Sequence, residues 1–151
     1  MLKVLIAEDD LMIADMAEEV FVEHGYEVCG IARTVNEAVA LGVRHKPDVA
    51  VIDLRLADAR LGTEIVARLG TFRQGTPGRP GVLYATANAA SVTLTAADGD
   101  ACLAKPYGAD DLLRSLEIVV EIVATGSTAS PLPPGLLVLP TVIAASQSSD
   151  G

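Results

Sequence analysis

An open α/β fold, with a parallel sheet covered by helices on both faces, is the class this sequence predicts. Three observations predict it. Apolar runs of strand length recur at Val4-Leu5-Ile6-Ala7, Val49-Ala50-Val51-Ile52 and Ala101-Cys102-Leu103-Ala104, each bounded by polar residues as buried parallel strands are. Segments of helical periodicity separate the runs. The runs end in Glu8-Asp9-Asp10, Asp53 and Lys105-Pro106, and in open α/β sheets the chemistry collects at the carboxyl ends of the strands.

Each element follows in order. After the first strand, residues 11 to 24 place Ile13, Ala17, Val20 and Phe21 on one helical face with acids elsewhere, and Gly25 supplies a stop. Tyr26 to Ile31 is the second strand. Thr34 and Glu37 have the spacing of a capping box, starting a helix that runs to about Arg44 and is closed by Pro47. The third strand is Asp48 to Asp53, followed by a loop through Gly62 and a helix from about Thr63 to Phe72. Gly75, Pro77, Gly78 and Pro80 punctuate the chain before a fourth strand, Gly81 to Ala85. Residues 88 to 99 make a poor helix, with Thr93, Thr95 and little apolar periodicity, so a short or mobile segment is expected. The fifth strand precedes Lys105, and residues 110 to 124 form the last helix.

Five strands alternating with helices, joined by right-handed crossovers, favour a flavodoxin-like doubly wound five-stranded parallel sheet of order 2-1-3-4-5. In that order strands one and three are neighbours, so Glu8, Asp9 and Asp53 meet at the switch point. Cys29 and Cys102 fall on opposite edges, too far apart for a disulfide, and read as small core residues.

Composition narrows the function. The 151 residues fit one domain. Half are hydrophobic, yet only three Tyr and two Phe are aromatic, so the core is aliphatic. Twenty acids against eleven bases give a formal charge of −9, which repels nucleic acid, and no basic stripe reverses that locally. The start runs straight into a strand without a leader pattern, and the apolar stretches are short of membrane-spanning length, so a soluble cytoplasmic protein is expected.

From Thr125 the composition shifts to Ser, Thr, Gly and Pro. Residues 1–124 are therefore read as the domain and 125–151 as a flexible tail without an output domain. The tail does hold two apolar stretches, Leu136-Leu137-Val138-Leu139 and Val142-Ile143. On the last helix, Leu112, Leu113, Leu116, Val119, Val120 and Val123 form the inward stripe, and Ile118 and Ile122 add apolar area on another side. Surplus of that kind usually marks an interface, so self-association as a homodimer through this helix and docking of the tail are both open, beside the plain reading of two exposed isoleucines.

Clustered carboxylates repel: two unit charges about 5 Å apart cost on the order of 3 kcal/mol at an effective dielectric of about 20. A divalent cation relieves this, and a few solvent-open oxygen ligands suit Mg²⁺. Magnesium, a carboxylate and a lysine make a phosphoryl-transfer arrangement. Asp53 is then the nucleophile, Lys105 neutralises a phosphoryl oxygen, and Thr86 offers a hydroxyl at the end of the fourth strand.

The ordered set of Glu8-Asp9-Asp10, Asp53, Thr86 followed by Ala87, and Lys105-Pro106-Tyr107 resembles the receiver domain of two-component response regulators across residues 1 to about 124. The resemblance implies that Asp53 is the phosphoacceptor. It implies that Asp9 ligates Mg²⁺ directly, Glu8 through water and Arg55 through its backbone carbonyl. Asp10, beyond that pair, starts the helix. Lys105-Pro106 matches a bond that is usually cis in the family. The implied donor is a histidine kinase or phosphotransfer protein, and the signal passes to a further protein. The loop Leu54 to Gly62 lacks the family's usual proline and carries its glycine one residue late. With Tyr84-Ala85-Thr86-Ala87-Asn88, it resembles a subgroup of alphaproteobacterial stress-response and single-domain regulators. Cys102 stands where many receivers keep a switching aromatic, so rearrangement of residues 88–99 is the expected response.

Two rival classes are a Mg²⁺-dependent aspartyl-phosphate phosphatase and a phosphorylation-independent binding module of the same fold. The first wants an acid two residues after the nucleophile, where this chain has Arg55. The second does not need the complete set of acids, Thr86 and Lys105. His24 and His45, without ligand partners, and Met12 and Met16, on one helical face, read as structural.

Overall fold

The computed structural model describes residues 1–57, 61–69, 80–87 and 93–140. Strands β1 (Lys3–Ala7), β2 (Glu27–Ala32), β3 (Val49–Asp53), β4 (Gly81–Thr86), β5 (Ala101–Ala104) and β6 (Leu136–Val138) form one sheet of order β2-β1-β3-β4-β5-β6. The first five are parallel, in the anticipated order. The helices are α1 (Leu11–Glu23), α2 (Val35–His45), α3 (Thr63–Leu69) and α4 (Ala109–Thr125).

Strand alternation divides the core into two layers, since successive side chains point to opposite faces. Leu5, Ala7, Ala50, Ile52, Val82 and Tyr84 pack with α2 and α3. Val4, Ile6, Val49, Val51 and Leu83 pack with α1 and α4. β3 and β4 are buried throughout, as continuous apolar runs require.

The helix starts follow their local chemistry. Asp10 caps α1, its carboxylate accepting from the N–H groups of Met12 (3.0 Å) and Ile13 (3.3 Å). A cap of that type is worth about 1 kcal/mol. Thr34 Oγ1 accepts from Glu37 N (3.2 Å), while the Glu37 carboxylate reaches back one residue further than anticipated, to Arg33 N (2.8 Å).

The expectations for the C-terminal segment and its neighbours change. The sheet has a sixth strand, antiparallel to β5, with Cys102 opposite Leu137 and Leu103 opposite Leu136. The tail is accordingly not free from residue 125, because residues up to 140 pack on the domain. The physical reason lies at β5. Leu139 is buried with Cys102, Val82 and Tyr84 on one face of the sheet, while Leu136 is buried in the cluster on the opposite face. Burying both leucines outweighs the freedom of a short Pro-rich segment. Cys102 therefore lies on an interior strand; both cysteines are unpaired. Ile118, expected to be surplus on α4, is buried in the same cluster as Leu136.

Residues 96–98 form a turn, and none of residues 93–99 is helical. Asn88, the glycine and proline punctuation between residues 70 and 79, the end of the third predicted helix and Val142-Ile143 lie outside the described residues. No described helix is long and apolar enough to cross a membrane.

Candidate functional site

Three strand ends converge. Parallel pairing of β1 with β3 and β3 with β4 sets Ala7 opposite Ile52 and Asp53 opposite Ala85. Glu8, Asp9 and Asp53 each place a carboxylate oxygen within 4.8 Å of the others. Glu8 and Asp53 are buried at 4 % and 8 % exposure. Thr86, the last residue of β4, is opposite Ala104 of β5, and its carbonyl accepts from Lys105 N (2.8 Å).

Lys105 crosses this cluster. Its Nζ lies 2.9 Å from Glu8 Oε1 and 3.1 Å from Asp53 Oδ2. The Lys105-Pro106 peptide bond is cis. Three carboxylates and one ammonium leave two formal negative charges in a partly buried space, which a divalent cation matches. The donors are all hard oxygens, so the residues fit Mg²⁺.

The electrostatics bear the mark of that crowding. Burial, above all, pushes the Glu8 carboxyl up to about 7. Hydrogen bonds from Asp10 N and Lys105 oppose the rise, and the Asp53 charge adds to it. Burial works against the Lys105 ammonium, but hydrogen bonds to Glu8 and Asp53 overcome it and hold the group above its ordinary range. Tyr107 is pushed up to about 12 by burial, with Glu8 contributing. Tyr107 lines the inner side of the site with Ile6, Glu8, Ile13 and Asp53.

The loop after β3 explains its late glycine. Gly62 N donates to Leu54 O (2.8 Å), and Arg55 bridges to Leu61. A Cβ at position 62 would sit 2.4 Å from the Asp53 backbone oxygen and from Ile52 Cγ2, so only glycine lets the loop return this closely. Arg55 N donates to Asp53 Oδ1 (3.3 Å), fixing one oxygen of the acceptor. The Arg55 side chain belongs to an exposed residue.

Above the acids opens a cleft of about 680 Å³ lined by Asp53, Arg55, Thr86, Ala87 and Lys105 on one side and Thr93, Leu94 and Asp98 on the other. The second wall was not anticipated from sequence. Its anchor is Tyr84, whose hydroxyl donates to Asp98 O (2.7 Å) from a fully buried ring. A tyrosine inside an otherwise apolar strand was the available signal, because a buried phenol needs a partner.

Such an arrangement can bind a phosphoryl group: a carboxylate to receive it, cationic and hydroxyl groups to meet its oxygens, and an open cleft for a donor. The family model described as response regulator receiver domain matches residues 4–117. The transcriptional regulatory protein PdtaR of Mycobacterium tuberculosis is 32% identical over 120 residues, covering 78% of this chain and 56% of PdtaR. The chain thus spans little more than half the length of that relative. Among solved structures, the chemotaxis response regulator CheY4 of Vibrio cholerae superposes with a TM-score of 0.66 at 26% identity, covering 79% of this chain and 98% of that one. The anti-anti-sigma factor PhyR of Bartonella quintana gives 0.63 at 25% identity, covering 83% and 49%.

Proposed function

This chain belongs to the response regulator receiver family, and from that premise we propose that Asp53 accepts a phosphoryl group from a histidine kinase or phosphotransfer protein and that the chain then signals through protein contacts. Receivers are generally phospho-switches rather than enzymes. The observation that carries the reading is the contact of Lys105 with both Glu8 and Asp53 over a cluster of three carboxylates. A passive scaffold gains nothing from burying that much like charge.

In the proposed transfer an Asp53 carboxylate oxygen attacks phosphorus, the bond from phosphorus to the donor nitrogen breaks, and an acyl phosphate forms with its charge shared among three oxygens. Lys105 exchanges its contact with Asp53 for one with a phosphoryl oxygen. The Thr86 hydroxyl donates to another. Arg55 N–H keeps the carboxylate oriented during attack. Mg²⁺, held by Asp9, Asp53, the Arg55 carbonyl and, through water, Glu8, would neutralise phosphoryl charge when bound. Water later attacks phosphorus, the bond from phosphorus to the Asp53 oxygen breaks, and inorganic phosphate leaves with the carboxylate regenerated. PdtaR is named a transcriptional regulatory protein and PhyR an anti-anti-sigma factor, so a downstream partner in control of gene expression is a further part of the reading. A second carboxylate two residues after Asp53 would favour a phosphatase, and the exposed Arg55 there weighs against one.

The test is direct. The full chain is incubated with Mg²⁺ and acetyl phosphate or phosphoramidate, and its intact mass is followed. One phosphoryl adduct is expected, absent in Asp53→Asn and absent when the metal is chelated. Rapid turnover of many phosphate esters would replace this reading with the phosphatase, and no adduct under any condition would replace it with the passive module.

A further inference from the structure

The β5 edge is closed by the chain's own C-terminal segment. Ala104 N donates to Gly135 O (3.0 Å) and Leu139 N to Asp100 O (3.0 Å), bracketing β6. Leu136 and Leu139 are buried on opposite faces of the sheet. The approach to β6 is tied down along α4: Arg114 Nη2 donates to Pro131 O (2.9 Å), and Glu121 accepts from the hydroxyls of Thr128 and Ser130. The segment leaves α4 at Gly126, whose φ of 91° glycine adopts without strain. Pairing extends over only three residues of β6, and a strand that short is open to exchange.

The same segment is bonded to the far wall of the phosphoacceptor cleft. Ala96 N donates to Pro140 O (2.7 Å), and the loop containing Ala96 contributes Thr93, Leu94 and Asp98 to the cleft. Ala104, bonded to Gly135, immediately precedes Lys105. Both attachments therefore sit on elements that a phosphoryl group on Asp53 would pull: the end of β5 through Lys105, and the loop that faces Thr86 across the cleft.

We propose that residues 127–140 are an intramolecular strap that closes the β5 edge while Asp53 is unmodified and opens when Asp53 carries a phosphoryl group, baring an edge that takes an extended apolar segment of a partner as an antiparallel strand. The occupant seen in this structure shows the chemistry accepted: two leucines three residues apart, one for each face, on a backbone that pairs with residues 100–104. The trigger rests on the phosphoacceptor reading; the closed strap does not.

Hydrogen exchange followed by mass spectrometry on the full chain, with and without Mg²⁺ and acetyl phosphate, tests the strap, and intact mass is read on the same samples. Peptides covering residues 101–104 and 135–140 should exchange at least tenfold faster once the adduct is present. Leu136→Asp should give the fast pattern without acetyl phosphate, as should Gly135→Val, a milder change placing a side chain against Ala104 at a φ of 83°. A synthetic peptide of residues 131–140 should bind the opened variants and the phosphorylated chain, and not the unmodified one. An adduct with unchanged exchange in both regions overturns the strap alone, as does a peptide that ignores the state of the edge. Absence of any adduct overturns the phosphoacceptor reading and the trigger with it.

Discussion

The ammonium of Lys105 lies 2.9 Å from the carboxylate of Glu8, and the same nitrogen reaches Asp53 at 3.1 Å. One cation thus serves two buried acids. On the proposed function, Lys105 would compete with a metal in the resting site and meet the phosphoryl group in the loaded one.

Lys105→Met should separate those roles. Without the ammonium Glu8 and Asp53 lose the counter-charge that Lys105 supplies, so Mg²⁺ affinity should rise severalfold. The rate of adduct formation should fall by tenfold or more, since a cation that meets developing phosphoryl charge is lost. Calorimetric Mg²⁺ titration and mass-resolved kinetics give the two readings. A parallel fall in both would mean that Lys105 merely holds the site together.

Glu8 gives the site a pH signature. Its carboxyl is pushed up to about 7 in the folded protein, chiefly by burial, from an ordinary 4.5. The folded state therefore keeps a proton that the unfolded chain releases. Stability of the metal-free protein should be greatest below pH 4.5 as far as this group is concerned, and should decline as pH rises toward 7. The slope for one proton is at most about 1.4 kcal/mol per pH unit. Mg²⁺ binds the deprotonated cluster, so its affinity should climb through the same window and level off above it. Thermal unfolding across this range, with and without Mg²⁺, checks both trends, and Glu8→Gln should flatten them. Parallel curves for the two proteins would assign the pH dependence elsewhere.

Gly62→Ala is expected to act on Asp53 without touching its carboxylate. The new methyl group would meet the Asp53 backbone oxygen at 2.4 Å, and a backbone atom cannot swing aside as a side-chain tip can. Adduct formation should slow by tenfold or more, because the acceptor must hold its line of attack. Wild-type kinetics in a folded Gly62→Ala protein would show that the loop relaxes instead.

The parts of this fold that were legible are those written in local pattern. Asp10 and Thr34 cap the helices they precede, and the strand-ending acids come together because parallel strands one and three are neighbours. β6 was not legible for a physical reason. Leu136-Leu137-Val138-Leu139 is flanked by Pro133, Pro134 and Pro140, a context that reads as unstructured chain. Its order comes from a non-local partner, β5, and from the apolar side chains of Cys102 and Val82 on which Leu139 packs. Ile118 looked surplus for a related reason, since one of the residues that share its cluster, Leu136, lies in the supposed tail.

Tyr84 joins the legible and illegible parts, and Tyr84→Phe should show it. The hydroxyl holds Asp98 O at 2.7 Å, and the ring packs so closely on Gly99 that a Cβ there would lie 2.6 Å from it. Phenylalanine preserves the packing and removes only the donor, leaving the carbonyl to find another. A loss of about 1–2 kcal/mol in unfolding free energy is expected. The larger effect should be local: the turn at Thr95–Asp98 loses its tie to β4, and through Ala96 N and Pro140 O so does the end of the strap. Amide exchange at residues 95–100 and 135–140 should therefore accelerate together while β1 and β3 stay protected. Faster exchange in the turn alone would show that Tyr84 supports the cleft wall without reaching β6.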